Sequence, residues 1–109
     1  MATFFRSKVL KDVGVVKTPG ITTDASTRST IIGISLTNLT EGNIYVDVLV
    51  ADDTSVEGNY LKNVMIPPST SLKPLGPAEK IILAPSNVLS FRSNENDSLD
   101  VILSYVDIV

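Results

Sequence analysis

The 109 residues carry a net charge of −3, and 43% are apolar, which is one domain's worth of chain with material for a modest core. Cysteine and histidine are both absent, which excludes disulfides, thiolate chemistry, cysteine-based metal sites and the commonest general base and metal ligand. Charge is spread evenly, about −1 over residues 1–55 and −2 over 56–109, so no basic arm favours nucleic acid.

Val, Ile and Thr together make 33 residues against five Ala and two Met, a balance that favours pleated strands over helices. The opening, Met1-Ala-Thr-Phe-Phe-Arg-Ser-Lys, lacks the apolar stretch of a signal peptide. No run approaches the roughly 20 apolar residues of a membrane span. The expectation is a soluble, unexported chain without membrane or nucleic-acid partners.

Phe4 to Val16 reads as a first extended segment, bulged near Asp12 and Gly14. Lys17 to Arg28, with Pro19-Gly20, reads as the longest polar connection. Alternation then places Ile32, Ile34 and Leu36 on one face. After Thr40-Glu-Gly-Asn43 a second alternating run puts Ile44, Val46, Val48 and Val50 together, and the two runs predict a β-hairpin. Gly33 inside a strand marks a bulge or a close backbone approach.

Further strands are predicted at Tyr60–Ile66, Ser71–Leu75, Lys80–Leu83, Val88–Ser93 and Leu99–Val109, separated by Pro67-Pro68, Pro74, Gly76-Pro77, Pro85 and a polar turn over Asn94–Ser98. The last strand is apolar on both faces: Val101, Leu103 and Tyr105 on one, Ile102, Val106 and Ile108 on the other. That pattern fits a central sandwich strand, or one covered by another chain. About eight strands with regular turns predict a single all-β domain over 1–109, an antiparallel β-sandwich of jelly-roll-like type. Ile32, Ile34, Leu36, Val46, Val48, Val50, Val101 and Leu103 are its expected core.

Few residues point to chemistry. Asp52-Asp53 with Glu57, and Glu95, Asp97 and Asp100, are two acidic loops without calcium-loop spacing, so they read as solvated turn carboxylates, and a glycosidase pair is a distant alternative. Asn38-Leu-Thr40 and Asn96-Asp-Ser98 match the glycosylation sequon but are better read as turn chemistry. Gly14, Gly33, Gly42 and Gly58 form no phosphate loop, and no catalytic triad can be assembled. The expectation is a protein without enzymatic activity, metal or cofactor.

Two features suggest contact instead. Phe4-Phe5 sits near the start of the chain, where residues 1–8 could form an arm with one ring in the core and the other, beside Arg6, on a neighbouring subunit. The outward residues of the last strand, Ile102, Val106 and Ile108, are the second feature.

The phrases FFRSKVLKDVGV, ASTRSTIIGISLTNLTEGNIYVDVLVADDTS, YLKNVMIPPSTSL, EKIILAPSNVLSFRS and SLDVILSYVDI span nearly the whole chain. In their order they resemble small virion structural proteins of tailed bacteriophages. The resemblance implies a β-sandwich without an active site, made in the host cytoplasm, that decorates the capsid or forms part of the neck or tail. It also implies other virion proteins (major capsid, neck or tail) as partners, and a homo-oligomer. A receptor- or glycan-binding module of a fibre or baseplate is the alternative.

Overall fold

A computed structural model describes residues 2–76 and 79–109; Pro77, half of one predicted turn signal, lies outside the described residues. The β-branched runs extend into strands, and no helix occurs among the described residues. The strands are β1 (Thr3–Val13), β2 (Thr18–Thr22), β3 (Arg28–Asn38), β4 (Ile44–Ala51), β5 (Glu57–Ile66), β6 (Ser71–Leu72), β7 (Ile81–Leu83), β8 (Val88–Ser93) and β9 (Leu99–Ile108).

Two antiparallel sheets pack face to face. Sheet A has the order β1-β9-β3, with β6 and β7 both paired to β3; sheet B has the order β2-β8-β4-β5. β6 meets β3 at Leu36 and Thr37, and β7 meets it at Ser29, Thr30 and Ile31, so the two short strands share one position. The pairs are therefore nested: β1 with β9, β2 with β8, β3 with β6 and β7, β4 with β5. A long hairpin rolled over on itself gives that nesting, which is the jelly roll.

The inward faces supply the core. Ile31, Leu36, Leu83, Leu99, Val101 and Leu103 of sheet A, and Ile44, Val46, Val48, Ile66, Leu89 and Phe91 of sheet B, are all sealed from solvent. Each such side chain contributes about 1.5–3 kcal/mol of burial.

Four sequence expectations change here. First, the turn after β3 does not make a hairpin, because β3 lies in sheet A and β4 in sheet B. Alternation says which side chains face the core, and it says the same for strands side by side or face to face. Asn38 anchors this crossing: its buried amide donates to the carbonyls of Gly42 (2.8 Å) and Ile66 (2.9 Å) and accepts from the Thr40 N–H (2.8 Å) and hydroxyl (2.8 Å). This is turn chemistry with every amide position used.

Second, the polar connection over Lys17–Arg28 contains β2, an edge strand. Pro19 is tolerated there, and the register shifts between Pro19 and Ile21. Gly20 is required by a close approach: a Cβ there would stand 2.8 Å from the Phe91 ring and 3.1 Å from Leu103. Third, Ile32 is not in the core. The β3–β9 register shifts between Ile31 and Gly33, the bulge inserts Ile32 on the outside, and Ile31 takes the buried place. Val50 is only partly buried.

Fourth, the segment expected as an arm is an edge strand of the protein's own sheet from Thr3 onward. β1 pairs with β9 along Thr3–Leu10, and Ala2 and Val109 exchange both backbone hydrogen bonds (3.1 and 2.9 Å). The expected irregularity near Asp12 is present: the register shifts between Leu10 and Val13, and Asp12 has a φ of 55°.

Candidate contact surface

Register decides which residues of sheet A look outward. Leu10 and Leu103 approach Gly20 of sheet B, so even-numbered β1 residues and odd-numbered β9 residues point inward. The outward set is Thr3, Phe5, Ser7 and Val9 of β1, paired respectively with Ile108, Val106, Ser104 and Ile102 of β9. On β3 the same rows continue through Arg28, Thr30, Gly33 and Ser35. Ile82 of β7 stands opposite Thr30, next to the bulged Ile32.

These rows form a relief. One ridge runs across the strands through Phe5, Val106 and Ile82; a second runs through Val9 and Ile102. Between them lies a trough of Ser7, Ser104 and Gly33. Phe5 is 83% exposed, Ile82 70%, Val9 58% and Ile102 49%, so the relief stands open. No ionisable side chain sits in these three rows. Arg28 lies at one end of the face and Asp100, opposite Thr37, at the other.

Of the residues expected at an interface, the structure gathers Phe5, Ile102, Val106 and Ile108 on this face. Phe4 and Arg6 lie on the opposite side of β1. Phe4 does not enter the core; it is 44% exposed, with the Arg6 guanidinium 5.0 Å from its ring centre. Arg6 pairs with Asp107 at 2.8 Å, and Asp107 also accepts from the Ser29 hydroxyl. This group walls a polar cleft of about 320 Å³, whose other side includes Thr22, Asp24 and Thr27.

Val9, Ile32, Ile82 and the trough were missed by sequence reasoning. Phe5, Ser7 and Val9 could have been found from the alternation of β1 alone. The rest needs the register of β1 against β9 and of β9 against a bulged β3.

Within the two acidic loops, Asp52 and Asp100 serve the backbone. Asp52 accepts from the Thr54 N–H (2.9 Å), the Thr54 hydroxyl (2.7 Å) and the Val56 N–H (3.1 Å), and these bonds hold its carboxyl below the usual range. Glu57 pairs with Lys17 at 2.7 Å, and Asp100 accepts from the Asp12 N–H at 3.0 Å. Asp97 takes a left-handed turn conformation, φ 51°. Among the described residues no three potential ligand groups gather to hold a metal ion.

Asp47 ties three strands of sheet B together. It accepts from the Asn63 N–H (2.8 Å) and pairs with Arg92 (2.7 Å). Burial pushes its carboxyl up, but the Asn63 N–H and the Arg92 guanidinium outweigh that, and the net shift is downward. It secures β4 to β5 and β8 within sheet B.

No protein-family model matches the chain, and no curated protein matches it. Among the solved structures that match is a chain from the structure of infectious bursal disease virus Gt strain, with a TM-score of 0.48 and 8% sequence identity, covering 98% of this chain. This chain spans 30% of the length of that one.

Proposed function

We propose that this protein is a non-enzymatic structural component of a virion, of the tailed-bacteriophage kind its sequence phrases resemble. It works by contact with neighbouring virion proteins in the capsid, neck or tail. The carrying observation is the apolar outer face of sheet A, built on the central strand β9, with its charged residues Arg28 and Asp100 confined to the ends. Jelly rolls serve in viral capsids, lectins and cupins alike, so the fold is an analogy and the surface is the argument.

Magnitudes favour many weak contacts. Four strands about 4.8 Å apart and seven residues at about 3.3 Å make a face of roughly 450 Å² in projection. That is the size of patch that tends to be functional on a monomer, yet well under the roughly 800 Å² per partner of a stable pair. Such a contact holds when many copies act together on one particle.

The test is mass spectrometry of purified particles with copy number. Hundreds of copies per particle mean a shell protein, and a count near six or twelve means a neck or tail ring. Absence from particles, or a specific glycan-array signal, would replace this reading with the fibre or baseplate receptor module.

A further inference from the structure

The trough on sheet A has no explanation within the chain. Gly33 has no left-handed φ, and a Cβ there would meet Ser104 at an ordinary 3.6 Å, so the fold has room for a larger residue. Glycine is a poor choice for the middle of a strand. Among the described residues the Ser7 and Ser104 hydroxyls make no hydrogen bond within the chain. Three small residues aligned across three strands, flanked by apolar ridges, have the form of a socket. The ridge rows stand one row, about 6.7 Å, to either side of it.

We propose that this socket seats the Phe5–Val106 ridge of a second copy of the chain, in a symmetric face-to-face pair. The proposal rests on the reading of this face as a contact surface and names its occupant. The ridge that fits the socket is present on the same face, one row away. A two-fold axis lying in the interface, across the strands and midway between the Phe5 and Ser7 rows, drops each ridge into the other copy's trough. The same operation lays Val9 and Ile102 over the partner copy's Thr3 and Ile108. With the axis in this direction each strand lies over its own counterpart, and the contacts are reciprocal, as in any isologous interface.

Charge selects this face for self-contact. The chain carries a net −3, so two copies repel over most orientations, but the ridge and trough rows hold no ionisable group, and Arg28, at the end of the Thr3–Ile108 row, falls over the partner copy's Ser35. Of the β1 cations, Arg6 and Lys8 line the polar cleft on the other side of the strand, and Lys11 lies beyond the Val9–Ile102 row. The limited area makes the pair reversible.

The test uses the purified wild-type chain and two variants in sedimentation velocity from roughly 10 µM to 1 mM, the range of weak association. Gly33→Val fills the trough with a residue suited to strands. Phe5→Ser removes an exposed ridge residue that the fold does not need. The wild type should show a concentration-dependent monomer–dimer equilibrium, and each variant should weaken it at least tenfold with an undiminished melting temperature. A wild type that stays monomeric throughout, or folded variants that pair as it does, overturns the proposal. Copy number of both variants in particles separates the two readings. A monomeric wild type whose variants are lost from particles keeps the contact surface and discards the pair. A dimer broken by the variants, in a protein absent from particles, keeps the pair and discards the virion role.

Discussion

The two sides of β9 are nearly equal in apolar content and opposite in fate. Val101 and Leu103 face inward and are sealed, whereas Ile102, one residue along, is 49% exposed. Sheet B covers one side of sheet A; among the described residues nothing covers the other. Hydrophobicity alone therefore does not distinguish a core face from a contact face. What differs is the relief: the inner face interdigitates with a second sheet, while the outer face keeps an empty trough between two ridges.

The largest effect should separate these sides. Leu103→Ala leaves a cavity opposite sheet B and should cost about 2–5 kcal/mol in urea unfolding. Ile102→Ala, on the same strand, should change stability by less than about 1 kcal/mol. Equal costs would break the comparison and make the outer face part of the folding core.

How far the sequence carries follows from the same contrast. β-branched content and turn spacing were sufficient for a sandwich of jelly-roll type, because both are local properties. The alternation of β4 correctly put Val46 and Val48 in the core and Ile44 on the same face, while Val50 is only partly buried. The same alternation could not tell a hairpin from a crossing between sheets, so the β3–β4 connection was misread. Pro19-Gly20 concealed β2, since those residues usually end strands and here occupy a bulged edge strand against Phe91. One inserted residue at Ile32 reversed the face expected for it. At the candidate site, Phe5, Ile102, Val106 and Ile108 were legible as apolar residues without a local reason to be buried. The trough was not, because it exists only once three strands are in register.

Two substitutions of intermediate effect test the packing of sheet B on sheet A and the side-chain tie within sheet B. Gly20→Ala puts a methyl against the buried Phe91 ring and Leu103, and should cost about 1–3 kcal/mol through overpacking. Asp47→Ala removes the acceptor of the Asn63 N–H and the partner of Arg92, and should cost about 1–3 kcal/mol at neutral pH. The Asp47 carboxyl is shifted down in the folded protein, so its stabilisation is complete above the unfolded-state value and lost as pH falls through the folded one. The deficit of the Asp47→Ala variant relative to wild type should therefore shrink in urea titrations below roughly pH 4. A deficit that grows in acid would reverse the assignment.

The smallest effect returns to the outer face and has the opposite sign. Gly33 lies mid-strand with room for a Cβ, and its φ suits any L-residue. Gly33→Ala should therefore raise stability by about 0.5–1 kcal/mol, because alanine loses less backbone freedom on folding. The contrast with Gly20→Ala is the point: the same chemical change should destabilise where the backbone meets the core and stabilise where it meets the trough. Thermal melts of the two variants side by side measure it. Destabilisation at Gly33 would mean that the bulge itself requires glycine, and the trough would then be a by-product of folding. Stabilisation would mean that this chain forgoes available stability to keep the trough empty, as proteins do where a surface is reserved for function.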